Sequence, residues 1–314
     1  MKNPHFDEGL LVWDDSYTGR YSTPRGGYGE QFDLQWNQAL RRSDYFVSPG
    51  ASTEDEYIRD RVLEITGTRP GGGGYHDSTC ASRILDNPID PELIRGKKCI
   101  DIGCGLGRWT RTMQMIGAES VLSVDMSESG LENVSKFNSE FLRADIMKLT
   151  ENPKLEGVFD FAIFWGVAMC THDPLKAFRN AAYTVAPGGS MYLMVYGPEG
   201  MHNTAIVNLQ RRIFHALTTV QERLDLVETV YDRKWDSRFP LMENIKNRLR
   251  NILGRSKGSR VGVLDMLEPF YNWTVSMKTI ESWMASEGFQ KVVRLNSGEK
   301  RPCAYHVLGM NKGK

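Results

Sequence analysis

The chain lacks an apolar run long enough to cross a bilayer. Its longest, Phe161 to Cys170, is about half of what a spanning helix requires. The first eight residues, Met1 to Glu8, have no apolar core of the kind a secretory signal needs, so a cytoplasmic location is expected. An excess of either charge is also missing. Lys and Arg number 39, Asp and Glu number 39, and the net charge is zero, which argues against a general affinity for nucleic acid or membrane. Cysteine is scarce: five residues, at 80, 99, 104, 170 and 303, with no Cys-x-x-Cys pair. An odd, scattered set implies reduced thiols rather than a disulfide framework or a zinc site. The six histidines show no helical pairing, and no metal is expected. There are no repeats, and Gly71 to Gly74 is the only low-complexity stretch.

What is present is an alternation of short apolar runs with amphipathic segments between residues 97 and 196. The patterning predicts strands at Lys98–Ile102, Ser120–Val124, Glu140–Arg143, Phe159–Trp165 and Ser190–Tyr196. It predicts helices at Arg108–Ile116, Glu128–Phe137 and Leu175–Val185, the last opened by Asp173-Pro174. Such βαβα order means a parallel sheet with helices on both faces. Residues 1–95 read as a helical, aromatic-rich leader, with helices near Glu30–Tyr45 and Thr53–Thr66 and a Gly-, Asp- and Pro-rich loop after them. Residues 197–275 read as a mostly helical insertion, with apolar spacing in Ile206–Leu217 and Leu224–Val230. It is far longer than the 2–6 residues of a regular αβ connection. A helix from Ser276 to Glu287 and strands near Phe289–Leu295 and Ala304–Gly309 complete the 96–196 and 276–314 domain.

A strand that enters a glycine loop and then a helix can serve a dinucleotide, a phosphate or S-adenosylmethionine. Spacing separates them. The dinucleotide fingerprint places its third glycine where Arg108 stands; the chain has instead Asp101-x-Gly103-x-Gly105-x-Gly107, with Cys104 inside the loop. Glycines let backbone approach a ligand closely, and a carboxylate ahead of them suits an ammonium group. Asp125, at the end of the second strand, can accept from ribose hydroxyls. Asp145, after the third, can accept from an adenine amino group, with Met126 and Ile146 on either side of the ring.

These residues resemble a class I S-adenosylmethionine-dependent methyltransferase. The match runs over about 97–196 and the last 40 residues, and includes Phe159 to Trp165 as a fourth strand and Ala186-Pro187-Gly188-Gly189 as the turn before a fifth. The resemblance implies an α/β fold: a doubly wound, mostly parallel, seven-stranded Rossmann-like sheet whose final strand is antiparallel. It implies S-adenosyl-L-methionine as cofactor and S-adenosyl-L-homocysteine as product. The cofactor site is assigned to Asp101, Gly103, Cys104, Gly105, Gly107, Arg108, Asp125, Met126, Asp145, Ile146 and Phe164, and the leader reads as an arm that folds over the cofactor, with Gln35 and Trp36 near the amino-acid tail.

In the subgroup that the chain most resembles, the segment after the fourth strand often reads Val-Leu-His-His-Thr-x-Asp-Pro and faces the acceptor. Here it reads Val167-Ala168-Met169-Cys170-Thr171-His172-Asp173-Pro174, without those two histidines. A hydroxyl acceptor needs a base, whereas a neutral amine or a thioether such as methionine needs little or none. The departure therefore favours a small-molecule acceptor at nitrogen or sulfur. Tyr196, His172 and Trp165 are the candidate catalytic residues, and Met169, Tyr271 and Trp273 the candidate substrate contacts. Two alternatives stay open. One is use of the cofactor's aminocarboxypropyl arm, by transfer or cyclisation, with release of methylthioadenosine. The other is an RNA or carrier-bound substrate, or a binding module, using the stretch Asn244 to Leu264, which holds six basic residues and no acid. Monomer and homodimer are equally compatible with the sequence.

Overall fold

The computed structural model describes residues 10–11, 32, 34–36, 54–67, 85–127, 130–131, 134, 139–198, 205–232, 260–269, 271–300 and 302–312. Gly71 to Gly74, Phe270, the leader aromatics before Phe32 and basic residues 244–259 lie outside them.

The described strands are β1 (Leu10–Leu11), β2 (Lys98–Ile102), β3 (Ser120–Asp125), β4 (Glu140–Arg143), β5 (Phe159–Trp165), β6 (Val185–Tyr196), β7 (Thr274–Val275), β8 (Phe289–Arg294) and β9 (Ala304–Asn311). The helices are α1 (Glu54–Thr66), α2 (Arg108–Ile116), α3 (Pro174–Ala182), α4 (Ala205–Ala216), α5 (Val220–Asp232), α6 (Arg260–Leu267) and α7 (Met277–Ser286). Seven strands form one sheet in the order β4-β3-β2-β5-β6-β9-β8. The first five are parallel, and β9 runs antiparallel to both β6 and β8. This is the seven-stranded, mostly parallel sheet that the resemblance implied. β1 and β7 pair separately as a two-residue antiparallel ladder.

Local chemistry sets the boundaries. Residues Cys99 to Ile102 of β2 are all buried, as a central parallel strand covered on both faces requires. β9 instead alternates partly exposed and buried residues, one face toward the core. α2 stops at Gly117, whose φ of +103° lets its N–H reach back to Met113 and Gln114. The side chain of Asp173 accepts from the N–H of Lys176 at 2.9 Å and opens α3, with Pro174 in its first turn; Ser276 does the same for α7. One expectation is corrected here. The helix expected to reach Val185 ends at Ala182, and Val185 already pairs with Phe159 as the start of β6. Pro187-Gly188-Gly189 is thus a bulge within the strand rather than a turn ahead of it. Gly189 is required there, because a Cβ would lie 2.8 Å from the carbonyl of Asp160.

Two cores flank the sheet. On one face Val62 and Ile65 of α1 and Trp109, Met113 and Ile116 of α2 pack on Cys99, Phe161, Ile163 and Tyr192. On the other, Ala177 and Phe178 of α3 and Trp283 and Met284 of α7 pack on Ile100, Ala162, Phe164 and Leu193. A third cluster joins Leu106 of the glycine loop to Phe214 of α4, Val227 of α5 and Leu264 and Leu267 of α6, with Leu34 and Trp36 packed against it. Each fully buried side chain of this size contributes about 1.5–3 kcal/mol. The third cluster therefore ties α4, α5 and α6 to Leu106 in the turn after β2. Strand order reverses between β2 and β5, and that is where such sheets open a ligand crevice.

Candidate active site

The turn out of β2 is glycine because other side chains would not fit. Gly103, Gly105 and Gly107 have φ of +73°, +52° and +78°, the left-handed region. A Cβ on Gly103 would stand 2.3 Å from Cγ2 of Val167, and one on Gly105 2.8 Å from Cζ2 of Trp36. The loop is stitched to the end of β3. The N–H groups of Gly103 and Cys104 donate to the carbonyl of Val124 at 2.8 and 3.0 Å. The Gly105 N–H donates to Oδ2 of Asp125 at 2.8 Å, while Oδ1 accepts from Ser127 N–H at 2.9 Å. Asp125 thus braces the loop.

Asp101 does something different. It is 1% exposed, and its Oδ2 accepts from both the N–H and the hydroxyl of Thr110 at 2.8 Å. Burial raises its pKa to about 7, against the lowering pull of Thr110 and Arg108. Its visible work is to fasten β2 to the first turn of α2. Cys104 is also enclosed, and burial beside Asp125 and Asp101 pushes its thiol far above the ordinary range. Asp145 caps the short 3-10 segment that starts at Ile146, accepting from Met147 N–H at 2.9 Å. Met126 beside it is partly exposed and Ile146 is buried. Carboxylates at the end of β3 and after β4, beside a glycine turn that carries no side chains, suit a ligand with hydroxyl and amino donors. The residues fit S-adenosylmethionine.

Arg108 donates to the hydroxyl of Tyr57 at 3.2 Å and stacks its guanidinium 4.4 Å from the ring centre of Trp165. Burial opposes its charge, but Tyr57 and Asp265 outweigh it and hold the pKa above the usual value. Trp165 packs on Trp109 with centroids 5.5 Å apart, on the α1–α2 face. Phe164 and Met169, expected to touch ligands, are fully enclosed in the core and shape the site from behind.

The acceptor-side segments come together. Trp273 donates its indole N–H to the carbonyl of Thr171 at 2.8 Å and its backbone N–H to that of Met169 at 3.0 Å. Tyr271 stacks on Trp273 with centroids 6.4 Å apart, and His172 lies against Tyr271 at 6.5 Å. His172 is exposed; partial burial still lowers its pKa below 6.5, with Lys176 acting in the same sense and Asp173 against it. Cys170 is buried, and its thiol is pushed far up by burial and by Asp265.

Asp265 is the residue the sequence reading missed. It lies on α6 of the insertion, and its Oδ2 accepts from the hydroxyl of Tyr196 at 2.9 Å. Burial raises its pKa, while Tyr196, Arg108, Arg211 and the Gln35 side chain pull the other way. The phenol of Tyr196 is in turn raised well above its ordinary value by burial and by this carboxylate. Arg211 of α4, with no exposure, donates to the carbonyl of Met266 at 2.7 Å and to that of Pro269. A lone acid in the apolar run Val261 to Leu267 was the available signal.

Among the described residues no group of three or more His, Cys, Asp or Glu could hold a metal, and no helix is long and apolar enough to cross a membrane. A methyltransferase-domain family matches residues 74–251, more than half of the chain. A ubiquinone biosynthesis O-methyltransferase of Marinobacter nauticus is 29% identical over 115 residues, 34% of this chain and 48% of that protein. A ribosomal protein L11 methyltransferase of Acetivibrio thermocellus is 25% identical over 142 residues, 43% of this chain and 42% of that protein. Both matches span less than half of the relative's own length. A tRNA U34 carboxymethyltransferase of Pseudoalteromonas translucida is 28% identical over 124 residues, 38% of each chain. The expectation that nucleic acid is not a substrate therefore gains no support from the relatives. Among solved structures, an S-adenosylmethionine-dependent methyltransferase from Mesorhizobium loti superposes with a TM-score of 0.42 at 19% identity, covering 70% of this chain and 96% of that one.

Proposed function

Because the chain belongs to the class I S-adenosylmethionine-dependent methyltransferase family, we propose that it methylates a small molecule at nitrogen or sulfur, a thioether such as methionine being one example, without a general base. We further propose that residues 197–275 and the leader form a cap that closes on 96–196 and 276–314. When bound, S-adenosylmethionine supplies a methyl group on a positively charged sulfur. The glycine loop from Gly103 to Gly107, Asp125 and Asp145 hold that cofactor, and Trp36 covers the loop.

The observation that carries this reading is the Tyr196–Asp265 hydrogen bond at the carboxyl end of β6. The phenol is already a donor to a carboxylate, and its raised pKa keeps it protonated, so it has no proton-accepting form to offer. Cys170 is no better, and His172 stands exposed on Tyr271 rather than beside Tyr196. What the wall offers instead is negative charge. An acceptor that becomes cationic as it is alkylated is stabilised by that charge, worth most where water is excluded. Alignment supplies the rest, roughly 7–11 kcal/mol in favourable cases.

The test is incubation with methyl-labelled cofactor and separate pools of amines, thioethers and hydroxyl compounds. Label on amines or thioethers, with S-adenosylhomocysteine formed, supports the reading. Label found only on hydroxyls refutes the no-base argument, and methylthioadenosine in place of S-adenosylhomocysteine refutes methyl transfer.

A further inference from the structure

Beside Asp265 lies one buried acceptor that no hydrogen bond satisfies, Oε1 of Gln35. Gln35 is 1% exposed. Its backbone N–H donates to Oε2 of Glu268 at 3.1 Å, and its side-chain amide reaches the Asp265 carboxylate. Its Oε1, however, is buried with no hydrogen-bond partner. An orphaned buried acceptor costs about 1–3 kcal/mol, so its place beside a carboxylate calls for a ligand that brings donors.

The neighbouring cations do not fill that need. Arg211 directs donors to the carbonyls of Met266 and Pro269, at the end of α6. Arg108 donates to Tyr57. Tyr196 brings the Asp265 carboxylate one hydroxyl. The pocket lies at the carboxyl end of β6, and Gln35 adjoins Trp36, whose ring covers Gly105 of the cofactor loop. Cys170 of the acceptor-side turn is close enough to feel the charge on Asp265.

We propose that Asp265 and Oε1 of Gln35 form a donor-accepting pocket that selects a primary or secondary amine as the methyl acceptor. The assignment rests on the methyltransferase reading above and narrows it. A thioether has no donor to offer, and a hydroxyl has one. A primary amine presents two N–H groups and its ammonium form three, and a secondary amine presents one and its ammonium form two, to a carboxylate and an amide oxygen. The reaction balances without an added reagent. An acceptor bound as ammonium first releases one proton to solvent; the nitrogen lone pair then forms the new N–C bond as the C–S bond breaks and its electron pair stays on sulfur. Positive charge thereby passes to nitrogen, facing Asp265, and one N–H proton leaves to solvent with the product.

The experiment uses the full chain with methyl-tritiated S-adenosylmethionine and pools of amines, thioethers and alcohols. It compares wild type with Asp265→Asn and with Gln35→Met, which keeps the volume but removes Oε1. Expected are label on amines and a rise of about 10- to 100-fold in amine KM in each variant, the loss of a charge-assisted bond. Cofactor affinity by calorimetry should stay in place. Unfolding midpoints are read alongside, and if Asp265→Asn does not fold, Gln35→Met carries the test. Label on thioethers or alcohols with S-adenosylhomocysteine formed overturns this inference and leaves methyl transfer standing. A parallel fall in cofactor affinity overturns it too, because the pocket would then belong to the cofactor. Methylthioadenosine as product overturns both readings.

Discussion

Replacing Gly103 by Ala tests the cradle directly. Two costs add at this position. The backbone is left-handed, at φ +73°, which costs an L-residue roughly 1–2 kcal/mol. The new methyl would also lie 2.3 Å from Cγ2 and 3.0 Å from Cγ1 of Val167, an overpacking that costs about 1–3 kcal/mol more. The expected loss is about 2–5 kcal/mol. Gly188 supplies the control, because its φ of +84° carries the backbone cost while a Cβ there meets nothing within 4 Å. Gly188→Ala should therefore lose only the first part, about 1–2 kcal/mol. Val167→Ala removes both clashing methyls, so the double variant G103A/V167A should recover most of the steric part. Urea unfolding with a double-mutant cycle measures each quantity, and calorimetric titration with S-adenosylmethionine reports the cradle itself. If Gly103→Ala costs no more than Gly188→Ala, or Val167→Ala restores nothing, the close-approach argument is wrong.

Asp101 makes stability depend on pH in an unusual direction. Its pKa is raised to about 7, so between about pH 4 and pH 7 the folded chain holds a proton that the unfolded chain has released. The stabilisation is full below that window and lost as pH rises through 7. The urea midpoint of wild type relative to Asp101→Asn should fall over this range, and parallel profiles would refute it. Among the described cysteines, a thiol reagent under native conditions should modify exposed Cys303, while Cys99, Cys104 and Cys170 stay unlabelled until unfolding. Burial lifts the Cys99 thiol to about 12; mass mapping of the adducts is the check. His172 should titrate below 6.5 by NMR, and Asp173→Asn, which removes the opposing charge, should move it lower still. An unchanged midpoint in that variant would remove Asp173 from the account.

The sheet was legible because its strands announce themselves locally. β2, β4 and β5 lie where the residue pattern placed them. The glycine turn after β2 was legible for the same reason, since Asp101, the glycines and Asp125 are fixed by spacing along one βαβ unit. The contacts of Tyr196 and Gln35 were not. Tyr196 and Asp265 are 69 residues apart, and the Gln35–Glu268 bond spans 233. No periodicity encodes such pairings, and on one amphipathic helix an acid such as Asp265 reads as a solvent-facing residue. The strand that starts at Val185 was missed for a related reason. Proline and two glycines read as a turn, while pairing with Phe159 across the sheet turns them into a bulge.

β9 is the last of the seven strands to be made, yet it occupies an inner position, between β6 and β8. It lies along β6 from Ser190 to Tyr196, with Tyr196 opposite Ala304. A chain emerging from the ribosome can thus pair β2 through β6 while one flank of β6 still exposes unpaired backbone. That open edge is closed only when residues out to Asn311 have left the exit tunnel. Domains fold as units during synthesis, and exposed strand edges invite misassociation. For this topology the hazard lasts until β9 has been made. It falls on the strand that carries Tyr196, so the strand end beside the proposed acceptor pocket is among the last parts of the sheet to become fixed.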